Sequence, residues 1–400
     1  MGISDLSLGR RDLTLATAAA AAAIAAPSAA QGAQGTPGKG RHRLRPVRGG
    51  VTALDLRLDD VGGNARTVDG LRTPVLETSR FSVLGVTWRS GGGPVRARWR
   101  RVEGGWTDWQ ELPPLHDRPD RDTDEGRATP QATDLTWAGP CDAVQLELAG
   151  DHGEVVLALI HPDRRVRVAE SGDGHADDEA EDRATTASAD GWAVNKPPMR
   201  LRKAWGADPR LRNGEPAYNK TIKQAHVHHT VNSNSYGRKD VPGLIRSMYR
   251  YHTNSLGWSD IGYNFLVDRF GRIWVGRAGG VKRNVRGAHT LGFNHNSFGV
   301  AVIGNFEGKR PNKRIVRSVA RLAAWKLDKY GRKPRALIEV TSWGSDKYAD
   351  GETVKLPVID GHRHTNDTAC PGQHLFEALP RIRRLAARRI RRAHVDARVG

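Results

Sequence analysis

Between Ala169 and Asp190 the chain carries eight acidic residues (Glu170, Asp173, Asp177, Asp178, Glu179, Glu181, Asp182, Asp190) against one arginine, spaced by Ala, Ser and Thr. A segment this charged and this poor in apolar side chains cannot bury enough surface to offset the entropy of ordering itself, so it reads as a solvated linker. It therefore divides the chain, and the halves on either side carry different periodicities. The length agrees, because 400 residues exceed what one hydrophobic core usually organises.

On the N-terminal side apolar and polar residues alternate. Leu54, Leu56 and Leu58 do so, as do Val95, Ala97 and Trp99 against Arg96, Arg98 and Arg100, and Val144, Leu146 and Leu148 against Gln145 and Glu147. Period-two alternation marks half-buried strands. With a turn at Glu103-Gly104-Gly105, residues 50–162 are expected to form an all-β domain, most simply a small sandwich. Residues 116–134, charged and short of apolar side chains, are expected to be a long surface loop. The domain shows no catalytic constellation, and its tryptophans (Trp88, Trp99, Trp106, Trp109, Trp137) are expected to pack in the core rather than stack on sugars.

The C-terminal side, 198–388 after a linker at 163–197, alternates strands with helices. Strands are expected at 225–228, 264–268, 272–276 and 298–303, and at 354–359 leading to His362. Helices are expected after Asp240-Val241-Pro242 and around Ile315, Val319, Leu322 and Ala323. Past Pro380 the apolar residues Ile382, Leu385, Ala386 and Ile390 lie among many arginines, an arrangement expected to pack on its own domain with one solvated face, ending in a basic tail at 389–400.

Arg10-Arg11 followed by an Ala-rich run to Ala26 reads as a twin-arginine export signal over 1–30, with a flexible leader at 31–49. The apolar run of roughly 14 residues is shorter than the ~20 a spanning helix needs. The expectation is a secreted or wall-associated protein with no transmembrane segment after processing. Its formal net charge of +19 favours polyanionic surroundings; for an exported chain these are anionic cell-wall polymers, and no groove-reading helix or aromatic RNA motif points to nucleic acid. Cys141 and Cys370 are the two cysteines. A disulfide is the structural alternative to a thiolate ligand at Cys370, and Cys141 is then a lone buried thiol.

Two histidine-rich stretches, A-H-V-H-H-T (225–230) and G-H-R-H-T-N-D-T-A-C-P-G (361–372), hold metal-ligand residue types. Three protein ligands with a fourth position left for water would be the catalytic form of a zinc site. The separation of His362 and Cys370 matches no short zinc motif, however, so spacing alone does not establish a site. Two further blocks accompany them, G-W-S-D-I-G-Y-N-F-L-V-D-R-F-G-R-I-W-V-G-R (257–277) and R-G-A-H-T-L-G-F-N-H-N-S-F-G-V-A-V-I-G-N-F (286–306).

In these blocks the chain resembles the peptidoglycan recognition protein family of zinc amidases. The resemblance implies an α/β domain with a mixed central sheet flanked by helices, a Zn²⁺ held by His228, His362 and Cys370, and Tyr263 beside the zinc-bound water or the developing oxyanion. It implies a lesser active-site role for Thr368, and a peptide groove lined by His252, Gly257, Trp258, Arg286, His289 and Asn294. The Gly257-Trp258 pair implies diaminopimelate-type stem peptides. His229 and His364 are expected to support the ligands or lie exposed rather than coordinate, while His226, two residues before His228 on the same strand face, is a rival ligand. The reaction implied is hydrolysis of the amide between N-acetylmuramic acid and L-alanine in peptidoglycan. The alternatives are a non-catalytic peptidoglycan-binding receptor or a wall-associated protein; Cys370 argues for the enzyme.

Overall fold

The computed structural model describes residues 40–162 and 192–399. The export signal, the start of the leader and most of the acidic linker lie outside the described residues. The described parts of both halves fall in one compact unit, Pro37–Gly400.

Order begins earlier than expected. β1 (Arg45–Val47) pairs antiparallel with β2 (Val51–Arg57), so part of the expected flexible leader is an edge strand. Gly49 and Gly50, at φ +91° and +68°, let the chain reverse tightly enough for an Arg- and Pro-rich segment to gain a ladder partner. β3 (Leu76–Trp88), β4 (Val95–Arg101), β5 (Thr136–Ala149) and β6 (Val156–Pro162) follow, in the spatial order β1-β2-β6-β3-β5-β4 with every neighbouring pair antiparallel. The domain is all-β, as expected, but its main strands form one branched hydrogen-bonded network.

Alternate residues of these strands face two cores. Leu84, Val86, Leu157 and Leu159 enclose the β core with Val144 and Leu146. Their neighbours Val83, Ala158 and Ile160, with Val51 and Ala53, pack against Tyr251, Leu256 and Trp258 of the C-terminal half. Each fully buried aliphatic side chain is worth about 1.5–3 kcal/mol, so this seam joins the halves firmly. At Gly85 a Cβ would lie 2.5 Å from the Tyr251 ring; glycine is what allows the ring to come this close to the strand. Trp88 and Trp99 are buried and Trp137 half-buried, whereas Trp106 is exposed and sandwiches the Arg98 guanidinium with Trp109.

The segment expected to be a surface loop, 116–134, is instead packed against the C-terminal half. It includes a single short helix, α1 (Asp124–Ala128), capped by Thr123, and Asp120 within it is fully buried.

In the C-terminal half the central sheet runs β7 (Met199–Arg200), β10 (Ile273–Val275), β9 (Phe265–Val267), β11 (Ser297–Val302), β8 (Gln224–His229), β14 (Ile359–Gly361) in space. It is mixed: β8 is parallel to both β11 and β14, and β9 is antiparallel to β10. Helices α2 (Val241–Arg250) and α3 (Lys313–Asp328) bury the apolar faces read from their periodicity, with Asn312 capping α3 by accepting the N–H groups of Arg314 and Ile315. The strand expected at 354–359 divides. β12 (Leu337–Trp343) and β13 (Asp350–Pro357) make a separate hairpin, and the three residues of β14 alone join the main sheet and deliver His362.

α4 (Gln373–Val399) continues through the expected basic tail. Ile382 and Ala386 are fully buried beside α3, Ile390 and Ala393 extend the apolar stripe, and His394 hydrogen-bonds Asp328 at 2.7 Å. The end of the expected linker is also anchored, since Val194 is buried and the N–H groups of Ala193 and Val194 donate to Asp328. No helix among the described residues is long and apolar enough to cross a membrane.

Candidate metal centre and its cover

β8 and β14 are adjacent parallel strands, so their C-terminal ends lie side by side. His228 stands near the end of β8 and His362 follows β14 directly, which brings their rings to 4.6 Å between centroids. The chain then turns back through 365–371 and carries Cys370 under the same strand end. Its Sγ accepts the His229 N–H at 3.4 Å and lies 3.7 Å from His228 Nδ1. One ligand atom from each of His228, His362 and Cys370 falls within 4.8 Å of the others, and all three residues are buried.

The chemistry of this donor set fits a cation. Both ring nitrogens of His362 are sealed from water and make no hydrogen bond, which is costly for neutral donors and acceptors. Burial, then the neighbouring His228, holds the His362 imidazole well toward its neutral form. Burial, then the charge of Asp117, pushes the Cys370 thiol up. A divalent ion set between these groups favours imidazole lone pairs and thiolate together. Both cysteines are free and buried, so the disulfide alternative does not occur; burial raises the Cys141 thiol to about 12. His226 shares the strand face but not the ligand cluster, and burial lowers its ring to about 3.

His289 lies behind the centre rather than in a groove. It is fully buried with Nδ1 at 3.1 Å from His228 Nε2. Burial holds it neutral, so when His228 turns Nδ1 to a metal its Nε2–H donates to His289 and fixes the ring. His229 accepts the Phe306 N–H at Nδ1, and His364 pairs with buried Asp360. The Thr368 hydroxyl accepts the Cys370 N–H at 3.2 Å, which caps the ligand loop.

Tyr263 stands 5.7 Å from His228 between ring centroids. Burial first, and the nearby Asp117 charge second, push its hydroxyl well up. That hydroxyl donates a short hydrogen bond to Asp117, a residue of the N-terminal half. The other carboxylate oxygen, Asp117 Oδ1, lies 3.2 Å from His228 Nδ1 and 3.3 Å from His362 Nδ1.

The rest of the 116–134 strap lies over the residues expected to line a groove. Asn294 donates to the Arg118 carbonyl at 2.8 Å and to Asp120 Oδ1 at 2.9 Å, and that same oxygen accepts the Gly292 N–H at 2.8 Å. Trp258, fully buried, donates to Thr129 at 3.0 Å and packs at a tilt against His252, 4.5 Å between ring centroids. Glu125 is paired with Arg277 at 2.6 Å. Gly257 is exposed at the turn before Trp258, and Arg286 donates to Asn219.

Asp117, Asp120, Glu125 and Arg277 are the residues the sequence reading missed. The first three were visible only as charges in a polar segment; nothing in their spacing says that buried imidazole and amide groups of the other half are their partners.

Residues 218–373, which contain the His/Cys cluster, Tyr263 and Thr368, match the N-acetylmuramoyl-L-alanine amidase family. Residues 44–187 match the Rv3811 N-terminal galactose-binding domain-like family. The chain is similar to peptidoglycan-recognition protein SA of Drosophila melanogaster, at 35% identity over 33% of this chain and 62% of that one. It is also similar to the human N-acetylmuramoyl-L-alanine amidase, at 32% identity over 46% of this chain and 28% of that one. Among solved structures it is similar to Drosophila PGRP-LB, at 27% identity, covering 45% of this chain and 91% of that chain with a TM-score of 0.36.

Proposed function

We propose that the chain is an exported, zinc-dependent amidase, a reading supported by the match of residues 218–373 to the N-acetylmuramoyl-L-alanine amidase family and by the similarity to peptidoglycan-recognition proteins. Its substrate would be the amide between N-acetylmuramic acid and L-alanine in peptidoglycan. The observation that carries this reading is the buried cluster of His228, His362 and Cys370 beside the Tyr263 ring.

The two imidazoles and the thiolate would hold the zinc. When bound, zinc lowers the pKa of a water to about 7 and polarises the carbonyl under attack. His289, neutral and buried, keeps His228 in the ligating orientation. Tyr263 presents a protonated hydroxyl, kept so by burial, that can donate to the carbonyl oxygen as negative charge develops there. Water adds to the carbonyl carbon, the C–N bond breaks, and the L-alanine nitrogen leaves as the amine with a proton from the attacking water. Thr368 holds the loop that presents Cys370. His252, Gly257, Trp258, Arg286 and Asn294 would bound the peptide side, with the Gly257-Trp258 pair suited to diaminopimelate-type stems. The excess of basic residues favours anionic wall polymers as surroundings.

Purified protein should carry one zinc. On prolonged incubation with diaminopimelate-type peptidoglycan it should release new L-alanine amino groups, and Cys370→Ser should lose both metal and release. A zinc-loaded chain that binds stem peptides and never exposes an amino group would instead be a receptor.

A further inference from the structure

We propose that Asp117 of the N-terminal domain is a fourth protein ligand of the zinc, and that the 116–134 strap thereby holds the amidase latent. This rests on the reading of the His228, His362 and Cys370 cluster as a zinc site.

Asp117 Oδ1 stands at a ligand's separation from both imidazoles. On a tetrahedral zinc with arms of 2.0–2.1 Å, two light-atom ligands stand about 3.3 Å apart. Asp117 Oδ1 lies 3.2 and 3.3 Å from the two imidazole Nδ1 atoms. That oxygen is buried and accepts no hydrogen bond. A carboxylate oxygen sealed from water and set at this separation from two imidazole nitrogens is placed where a single cation would satisfy all three. An open vertex is what distinguishes a catalytic zinc from a structural one, and an Asp117 ligand would fill it.

The second carboxylate oxygen occupies the other catalytic group. Tyr263 donates its hydroxyl hydrogen to Asp117, so the donor needed at a developing oxyanion is engaged. One side chain thus engages both the attacking vertex and the stabilising hydroxyl.

The strap is fixed at points a substrate would need. Asp120 and the Arg118 carbonyl take both donor contacts of the Asn294 amide, Thr129 takes the Trp258 indole N–H, and Glu125 takes Arg277. At its root the Thr133 carbonyl accepts the Tyr251 hydroxyl at 2.8 Å, within the apolar seam between the halves. A peptide cannot lie across these residues while the strap does, and opening requires the strap to peel away as a unit.

The test uses the full chain with cobalt(II) in place of zinc, so that coordination is read from visible absorption independently of turnover. Wild-type cobalt protein should be indifferent to millimolar azide. Asp117→Ala and Asp117→Asn should each change the ligand-field spectrum and then respond to azide, and their zinc forms should release L-alanine amino groups at least ten-fold faster than wild type. Asp117→Asn keeps the side-chain shape and the acceptor for Tyr263, so it reports even if the alanine variant does not fold. Spectra and azide response identical to wild type would remove Asp117 from the coordination sphere. A changed spectrum with slower hydrolysis would make Asp117 part of the catalytic apparatus and overturn latency. Failure of every form to bind metal or release amino groups would instead sink the amidase reading.

Discussion

Asp120 places a pH-dependent load on the strap. Its side chain is 0% exposed, and burial pushes its carboxyl from 3.8 up to about 7 against the opposing hydrogen bonds from Asn294 and the Gly292 N–H. His295, whose Nε2 is 3.4 Å from Asp120 Oδ2, is itself held toward the neutral form by burial. Below about pH 4 the folded and unfolded chains both carry the Asp120 proton, and no penalty arises. As the pH climbs, the unfolded chain releases that proton while the folded chain retains it, so the native state loses stability until the folded carboxyl ionises near pH 7. At about 1.4 kcal/mol per pH unit the cost approaches about 4 kcal/mol above that point.

Asp120→Asn keeps an oxygen acceptor for the Gly292 N–H and the Asn294 amide and removes the charge. Its stability relative to wild type should be near zero at about pH 4 and should grow to about 4 kcal/mol by about pH 8. Urea unfolding followed by tryptophan fluorescence at a series of pH values measures this difference, and the other titrating groups, common to both proteins, cancel from it. Stability curves that run parallel across the range would show that Asp120 is not the buried acid described.

Tyr263→Phe should leave zinc content unchanged and lower the rate of amide hydrolysis about 100-fold, the scale of losing one donor to a developing oxyanion; comparing metal analysis with the initial rate checks it, and an unaltered rate would reduce Tyr263 to packing. Gly85→Ala sets a methyl 2.5 Å from the Tyr251 ring. It should destabilise the chain by about 1–3 kcal/mol and raise protease sensitivity in the 116–134 strap, which limited proteolysis with mass mapping would detect; a melting temperature equal to wild type would mean the seam yields easily.

The sequence by itself determined what repeats locally. Alternation in β2, β4 and β5, the apolar stripes of α2 and α3, and the break between the two halves are short-range patterns that report which face of an element is buried. The motif blocks around His228, Tyr263, His362 and Cys370 pointed to candidate metal donors through their resemblance to the amidase family. The true extent of some elements escaped: β1 depends on a glycine turn that lends it a partner, and α4 continues past residue 389 because Ile390, Ala393 and His394 find α3.

What only the tertiary structure decided is the relation of Asp117 to the His228, His362 and Cys370 cluster. Asp117 and Tyr263 are 146 residues apart, and a polar segment such as 116–134 carries no periodicity to record which surface it will cover. Its carboxylates read as solvated charge until the apolar seam around Tyr251 and Trp258 carries them onto buried imidazole, amide and guanidinium groups. Charge chooses its partner through space, and packing between the two halves sets that space.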